Sequence, residues 1–545
     1  MIGVGDAAFS SDSRWLALTS ADGALCIHDA LSGERLATLV SLGEGADWLV
    51  VTPDGLFDGS PAAWKQINWR FSQDLLDLAP VEAFFSEFYH PGLLADLLSG
   101  RRPRAPTDFA KKDRRQPQVD LTLADGQTPV SKSISSRTVT VKVALQEAPP
   151  DALRALGSGV RDVRLFRNGS LVKVWRGDVL PENQSKVVLE ATVRIVAGEN
   201  RLTVYAFNRD NIKSSDTTLI LQGAESLKRR GTAFILAVGI NDYANPSYRS
   251  LSYAVADARA FAEELMRQQT KLGTFDRVEV IPLLDREATK ANILWALELL
   301  AGQGAEGLPP GAPAVLQTIK PAQPEDAVFV FYAGHGTARG SRFYMISHGL
   351  GHTGSPTDAS AASVKTPPGS SISDVELEQA LEKVDAGHLV LVIDSCKSGQ
   401  ALEAEEKRRG PMNSKGLAQL AYEKGIYILA AAQSYQGALE AAQFGHGLLT
   451  YGLVEEGLKT RAADLAPTDG QVVAREWLDY AVLRVPQLQT AMMQEARRAG
   501  RQVAFVEGEE KILDLEQRGL QRPRVFYRRE PEVQPFVIAK PPVTP

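Results

Sequence analysis

The chain has 545 residues, 44% hydrophobic and 23% charged, an ordinary globular balance with room for about three or four domains. A net charge of −6 gives no electrostatic reason to expect nucleic acid as the main partner, and no apolar run reaches the roughly 18 residues of a membrane span. The start, MIGVGDAAFSSDSRW, has neither the basic residues nor the apolar stretch of a secretion signal, and two distant cysteines, Cys26 and Cys396, make no disulfide framework, so a cytoplasmic setting is expected.

Residues 1–100 begin with short strand-like runs and turn signals, SRWLALTSADGALCIHDALSGERLATLV and then DWLVVTPDGLFDGS. The order of strand, Asp-Gly turn, CIHD and SGE resembles the last blade of a WD-repeat propeller. A single blade buries its faces only on neighbours, so the segment is read as a remnant packed on the rest of the chain. Cys26 fits there as a buried strand residue. The stretch from Trp64 to Gly100 reads as helical packing, with Trp64, Trp69, Phe84, Phe85 and Tyr89 as core. A basic, proline-containing segment at 101–118, RRPRAPTDFAKKDRRQPQ, reads as a solvated linker. Residues 119–223 give strand after strand with period-two alternation, and Asn168-Gly169 is a strong hairpin signal, so an immunoglobulin-like β-sandwich is expected.

From 231 the period changes. TAFILAVGI, DRVEVIPLL, AVFVFY, HLVLVID and GIYILAAA read as buried strands. AVADARAFAEELMRQ, ATKANILWALELLA with Thr289 as cap, SDVELEQALEKV and GLLTYGLVEEGLKT read as helices. Strands alternating with helices predict an α/β domain over 231–460, a mainly parallel sheet with helices on both faces, preceded by all-β accessory regions. Residues 461–545 read as a helical extension and a proline-rich tail packed on that domain.

Two strands end in unusual residues: AVFVFYAGHG delivers His335 between two glycines, and HLVLVIDSCKSG delivers Cys396. In open α/β sheets functional groups gather at the carboxyl ends of strands, and adjacent strand tips lie about 4.8 Å apart. A free thiol near pKa ~8.5 is a weak attacker at neutral pH. A neighbouring imidazolium stabilises the thiolate and protonates a departing amine. The glycines let a peptide approach the ring, and the amides of Gly336 and Cys396 suit an oxyanion. Taken singly, His335 and Cys396 read as structural residues; together they read as a catalytic pair. One cysteine with one histidine is too few ligands for a metal, and His348, His352 and His388 lack metal-ligand spacing.

FVFYAGHG and LVLVIDSCKSG, preceded by FILAVGINDY and LSYAVADARAF, resemble the caspase–metacaspase clan, most closely its prokaryotic caspase-like proteases, the orthocaspases. The later ILAAAQSYQGALEAAQFGHGLLTYGLVEEGL resembles the segment carrying the family's fifth strand and following helix. The resemblance covers about 231–460. It implies a caspase sheet of six strands, one antiparallel at the edge, and a cysteine endopeptidase working through a thioacyl-enzyme. The WD-like and sandwich regions resemble accessory domains found with such bacterial proteases, which implies a zymogen in signalling or defence.

Asp394 stands two residues before Cys396, so in extended chain it shares a face with it. The resemblance adds Asp257 as a second pocket acid. Two carboxylates favour Arg or Lys before the scissile bond. Where animal caspases carry an arginine, six residues earlier, this chain has Leu251. Two positions depart from the metacaspase pattern, Ala333 for a pocket serine and Ala254 for a cysteine, which leaves pocket detail open. The alternative is that Asp394 caps the following helix and Asp257 is a surface acid. The polar loop SGQALEAEEKRRGPMNSKG offers Arg408 or Arg409 as a self-cleavage site, the alternative being a merely solvated loop. Expected partners are protein or peptide substrates with Arg or Lys before the cut, and an activating protein or upstream protease. Many relatives need Ca²⁺, which implies Ca²⁺ activation; no dense Asp/Glu loop marks a site here. Two competing accounts stand beside the peptidase: an inactive caspase-like scaffold binding partners through its β regions, and a thioesterase, against which the acid-lined pocket speaks.

Overall fold

The computed structural model describes residues 4–21, 23–43, 47–71, 78–125, 133–245, 248, 250–304, 307–308, 311–339, 342–349, 371–397, 414–431, 440–441, 444–498, 506–507, 510–511, 520–527 and 535–540. Among them no helix is long and apolar enough to cross a membrane. The protein is mixed α/β with several separate sheets. It divides into two compact units, Met1–Asn168 with Val172–Ala224, and Gly169–Leu171 with Glu225–Pro545.

The first unit opens with a six-stranded antiparallel meander, Val4–Phe9, Trp15–Ser20, Leu25–Asp29, Arg35–Leu42, Asp47–Val51 and Phe57–Gly59, each strand paired with the next. The stretch after it departs from the helical expectation. It holds three short helices, Pro61–Gln66, Phe85–Phe88 and Leu93–Leu98, and a strand pair, Asn68–Arg70 with Leu78–Pro80. Pro80 and Pro91 lack the N–H a helix interior needs, so no long helix runs through them. Trp64, Phe84 and Phe85 are buried, and Tyr89 stacks on Phe85 at 5.0 Å and lies 4.7 Å from Trp64. Residues 101–118 are largely exposed or half-buried, but the segment is pinned around Asp113. Asp113 pairs with Arg115 at 2.7 Å, and Asn208 Nδ2 donates to the carbonyls of Asp113 and Arg115. Beyond it lie a three-stranded sheet, ordered Lys186–Arg194, Thr138–Gln146, Gln118–Leu123, and a four-stranded one, ordered Ser170–Asp178, Arg161–Arg167, Gly198–Phe207, Thr217–Gly223. Asn168 and Gly169, at φ +48° and +78°, supply the left-handed pair that a tight hairpin requires.

The second unit carries the chemistry. The strands of its main sheet are β1 (Thr232–Gly239), β2 (Arg277–Leu284), β3 (Ala327–Arg339), β4 (Arg342–Ile346), β5 (Ser371–Ser373), β6 (His388–Lys397), β7 (Tyr427–Ala430) and β8 (Arg524–Phe526). The main path runs β2-β1-β3-β6-β7-β8; its first five strands are parallel and β8 is antiparallel. Strands β4 and β5 form an antiparallel annex on the end of β3. The helices are α1 (Ala254–Leu272), α2 (Lys290–Leu300), α3 (Asp374–Glu382), α4 (Ser414–Lys424), α5 (Leu448–Thr450, running on into the π-helical turns Tyr451–Lys459) and α6 (Ala474–Arg498). Thr289 accepts a hydrogen bond from the Asn292 amide and starts α2.

Both faces of the sheet are covered. On β1, Ala233, Ile235 and Ala237 belong to the main apolar cluster, while Phe234, Leu236 and Val238 on the opposite face are equally buried. In that cluster Phe261 of α1 stacks on Phe331 of β3 at 4.4 Å and on Trp477 of α6 at 5.8 Å. Trp477 is fully buried and its Nε1 donates to the Leu453 carbonyl at 3.0 Å. Trp477→Ala removes the indole and leaves a void, and is expected to lower unfolding stability by about 3–5 kcal/mol in a denaturant titration.

Candidate active site

Strands β3 and β6 are parallel neighbours, and their register pairs His335 with Cys396. Both residues lie at the carboxyl ends of their strands, where an α/β sheet presents functional groups. Neither lies beyond the strand. The ladder continues through Gly336 and Lys397, because β3 keeps an extended course to pair with β4, Gly336 opposite Met345. The amides of Gly336 and Cys396 therefore belong to a paired segment.

His335 is 1% exposed. Its backbone is clasped by two phenols. The His335 amide donates to Tyr243 Oη at 2.6 Å, and Tyr332 Oη donates to the His335 carbonyl at 2.6 Å, sharing its proton with the Ile346 carbonyl at 2.8 Å. Burial raises the Tyr332 phenol well above its ordinary pKa of 10, with neighbouring Tyr243 adding to the shift, so it stays a donor. The rings of Tyr243 and Tyr248 lie 4.8 Å and 5.8 Å from the imidazole. The flanking glycines answer to these neighbours. A Cβ at position 334 would stand 2.8 Å from Tyr243 Oη and 2.9 Å from Tyr332 Oη; one at 336 would stand 2.8 Å from Phe343 Cε2 and 2.9 Å from Ser395 Oγ. Internal packing thus demands both glycines, where the sequence suggested room for a substrate.

The two acids meet. Asp394 pairs with Ala333 in the ladder, one same-face step before the His335–Cys396 rung. Asp257 sits in the first turn of α1. Both are buried, at 8% and 3% exposure, so Asp257 is not a surface acid, and Asp394 lies in a strand, not at a helix cap. They converge on the segment that opens α5. The Gly447 amide donates to both oxygens of Asp257 at 3.1 and 3.2 Å, and Thr450 Oγ1 donates to Asp394 Oδ2 at 3.2 Å. A Cβ on Gly447 would stand 3.0 Å from Asp394 Oδ2 and 3.1 Å from Asp257 Oδ2, which measures how closely the carboxylates crowd one point.

His446 lies against this pair. Its Nδ1 lies 2.8 Å from Asp257 Oδ1 and its Nε2 4.0 Å from Glu455 Oε1, and Glu455 also holds Lys459 at 2.6 Å. The hydrogen bond to Asp257 lifts the imidazole pKa above its ordinary 6.5, against the opposing pull of burial. Burial is the largest influence on Asp257 and pushes its carboxyl upward, with His446 and the Gly447 amide pulling back.

Sequence reasoning did not assign Tyr243, Tyr248, Tyr332, His446, Gly447 or Thr450. A second Gly-His-Gly at 445–447, echoing 334–336, is the one signal that pointed to His446. Arg408 and Arg409 lie outside the described residues. Among the described residues no group of three or more His, Cys, Asp or Glu is placed to hold a metal ion.

No family model and no curated protein matches the chain. Similar solved structures include pro-sf-caspase-1, at 14% identity and TM-score 0.28, over 57% of this chain and 94% of that one. Others are the fibronectin(III)-like modules of Clostridium thermocellum CbhA, at 14% and 0.14, over 20% and 100%. A third is BC0361, a polysaccharide deacetylase from Bacillus cereus, at 11% and 0.12, over 39% and 60%.

Proposed function

We propose that the chain is a caspase-like cysteine endopeptidase that cuts after Arg or Lys and is made as a zymogen. One observation carries the reading: His335 and Cys396 share a rung at the carboxyl ends of adjacent parallel strands, and Asp394, one step back on the same face, converges with Asp257. In the reaction, the Cys396 thiolate attacks the carbonyl carbon of the peptide. The carbon–nitrogen bond breaks as His335 gives its proton to the departing amine, leaving a thioacyl-enzyme. Water, deprotonated by His335, then attacks the thioester; the acid leaves and the thiol returns. The amides of Gly336 and Cys396 would hold the oxyanion, with each such donor worth about 10²–10³ in rate.

The zymogen part rests on burial. A histidine at 1% exposure and amides inside a ladder must be uncovered before a substrate reaches them. Cleavage after Arg408 or Arg409, Ca²⁺, or an upstream protease would supply that step, in a bacterial signalling or defence setting. The same burial favours a second reading, an inactive caspase-like scaffold that binds partners.

A panel of fluorogenic peptides differing only in the residue before the cut tests this, with and without Ca²⁺ and limited tryptic nicking. Release from Arg and Lys peptides at least about 10²-fold above Asp peptides is the expected result, the discrimination of a buried charge pair. Preference for Asp overturns the specificity, and no release under any condition favours the scaffold.

A further inference from the structure

The acidic pair is already engaged by a titratable base of the chain's own. His446 Nδ1 bonds Asp257, a carboxylate at 3% exposure, while Asp394 is held separately by a neutral hydroxyl, that of Thr450. If these acids recognise Arg or Lys, as proposed above, the substrate's side chain meets an occupied carboxylate. We infer that His446 is a stand-in for the substrate's cation, and that Arg or Lys reaches Asp257 only by displacing the imidazole.

The surroundings suit such an exchange. His446 lies between Gly445, at φ +67° in the left-handed region, and Gly447, so the backbone on either side carries no side chain to block rotation of the histidine. Its second nitrogen already faces Glu455, which can receive the ring as it leaves, in competition with Lys459. Cation replaces cation, so the pocket's charge is conserved. A neutral side chain makes no such exchange, and an acidic one meets two carboxylates. Selectivity for a positive side chain is thereby a property of the plug as well as of the acids.

The charged groups around the ring give the exchange a sign with pH. Asp257 of α1 and Glu455 of α5 hold the protonated ring and Lys459 of α5 opposes it, while Asp394 of β6 lies beside Gly447, the next residue. Protonated, His446 competes with an incoming guanidinium. Neutral, it competes weakly. Affinity for a cationic ligand therefore rises with pH through the histidine's transition, and binding releases a proton.

Benzamidine, an amidinium probe, tests this by calorimetry on the full chain in buffers of different ionisation enthalpy. Wild type is expected to release a proton on binding near neutral pH, and benzamide, its neutral counterpart, to release none. His446→Asn is expected to bind benzamidine without proton release, about tenfold tighter than wild type at acidic pH and equally at alkaline pH, the size of one charge-assisted bond no longer surrendered. Binding by wild type that Asp257→Asn weakens but that releases no proton overturns the plug and leaves the acidic pocket standing. No benzamidine binding by either chain overturns the pocket itself, and the plug with it. Should His446→Asn not fold, His446→Gln takes its place, because Asp257, its carboxyl raised by burial, could also release a proton in wild type.

Discussion

Cys396→Ala is expected to abolish release from Arg peptides, a fall of at least about 10⁴-fold, the scale on which removal of a nucleophile acts. With no thiolate there is no thioacyl-enzyme, and what remains is binding and the oxyanion amides. Cys26 supplies the control. It lies in the first unit, its Sγ 3.9 Å from Thr38 Oγ1, and Cys26→Ala should leave the rate unchanged. The histidine is a poorer test than the cysteine. His335 is buried among Tyr243, Tyr248 and Tyr332, so replacing it also disturbs packing, and a lost rate would have two explanations. Stoichiometric inactivation by iodoacetamide, with mass added at Cys396 alone, would agree with the alanine result. Undiminished hydrolysis in Cys396→Ala would remove the nucleophile from the reading.

Asp257→Asn is expected to lower kcat/KM for Arg peptides by about 10²–10³-fold, mostly through KM, because a buried carboxylate facing a cation is lost while the shape is kept. An amide oxygen at 257 can still accept from the Gly447 amide, so the turn that opens α5 has its anchor. The same variant has a second signature. A histidine raised above its ordinary 6.5 contributes stability that is whole below that pH and lost as pH rises through the folded value. The buried Asp257 acts in the same sense, since a carboxyl raised by burial makes ionisation of the folded chain unfavourable above its ordinary 3.8. Wild type should thus lose stability as pH rises above 6.5, and Asp257→Asn should flatten that slope. A thermal melt series across pH reads it. An unchanged slope would mean that the His446–Asp257 contact does not exist in solution.

Much of this unit was legible because its strands are buried on both faces and read as unbroken apolar runs. TAFILAVGI became β1 and HLVLVID the body of β6 for that reason alone. Thr289 was legible as a cap because capping is a local affair. What escaped was non-local. Strands β3 and β6 run past Tyr332 and Asp394 because β4 pairs with the end of β3, and no feature of AGHG announces that partner. His446 and Asp257 are 189 residues apart, and nothing in either's surroundings in the sequence names the other. Tyr243 sits in a motif that was noticed, yet its role depends on a hydroxyl reaching the His335 amide across the loop after β1. At Trp64 to Gly100, Trp64, Phe84 and Phe85 were rightly taken as core while Trp69 and Tyr89 are only half-buried, and prolines keep the expected helical packing to short pieces.

Strand β8 closes the sheet against β7, and Val537–Ala539 pairs with Val472–Val473 while Phe536 and Ile538 enter the main apolar cluster. The first strand of the main sheet to be synthesised, β1, therefore waits for residues made far later before its surroundings are complete. Until then a parallel sheet with an open border and an unfilled interior stands exposed, a slow and adhesive state. Chains interrupted during translation after α6 should be prone to clumping and should lean on chaperones, whereas the separately compact first unit can finish early and stay out of trouble.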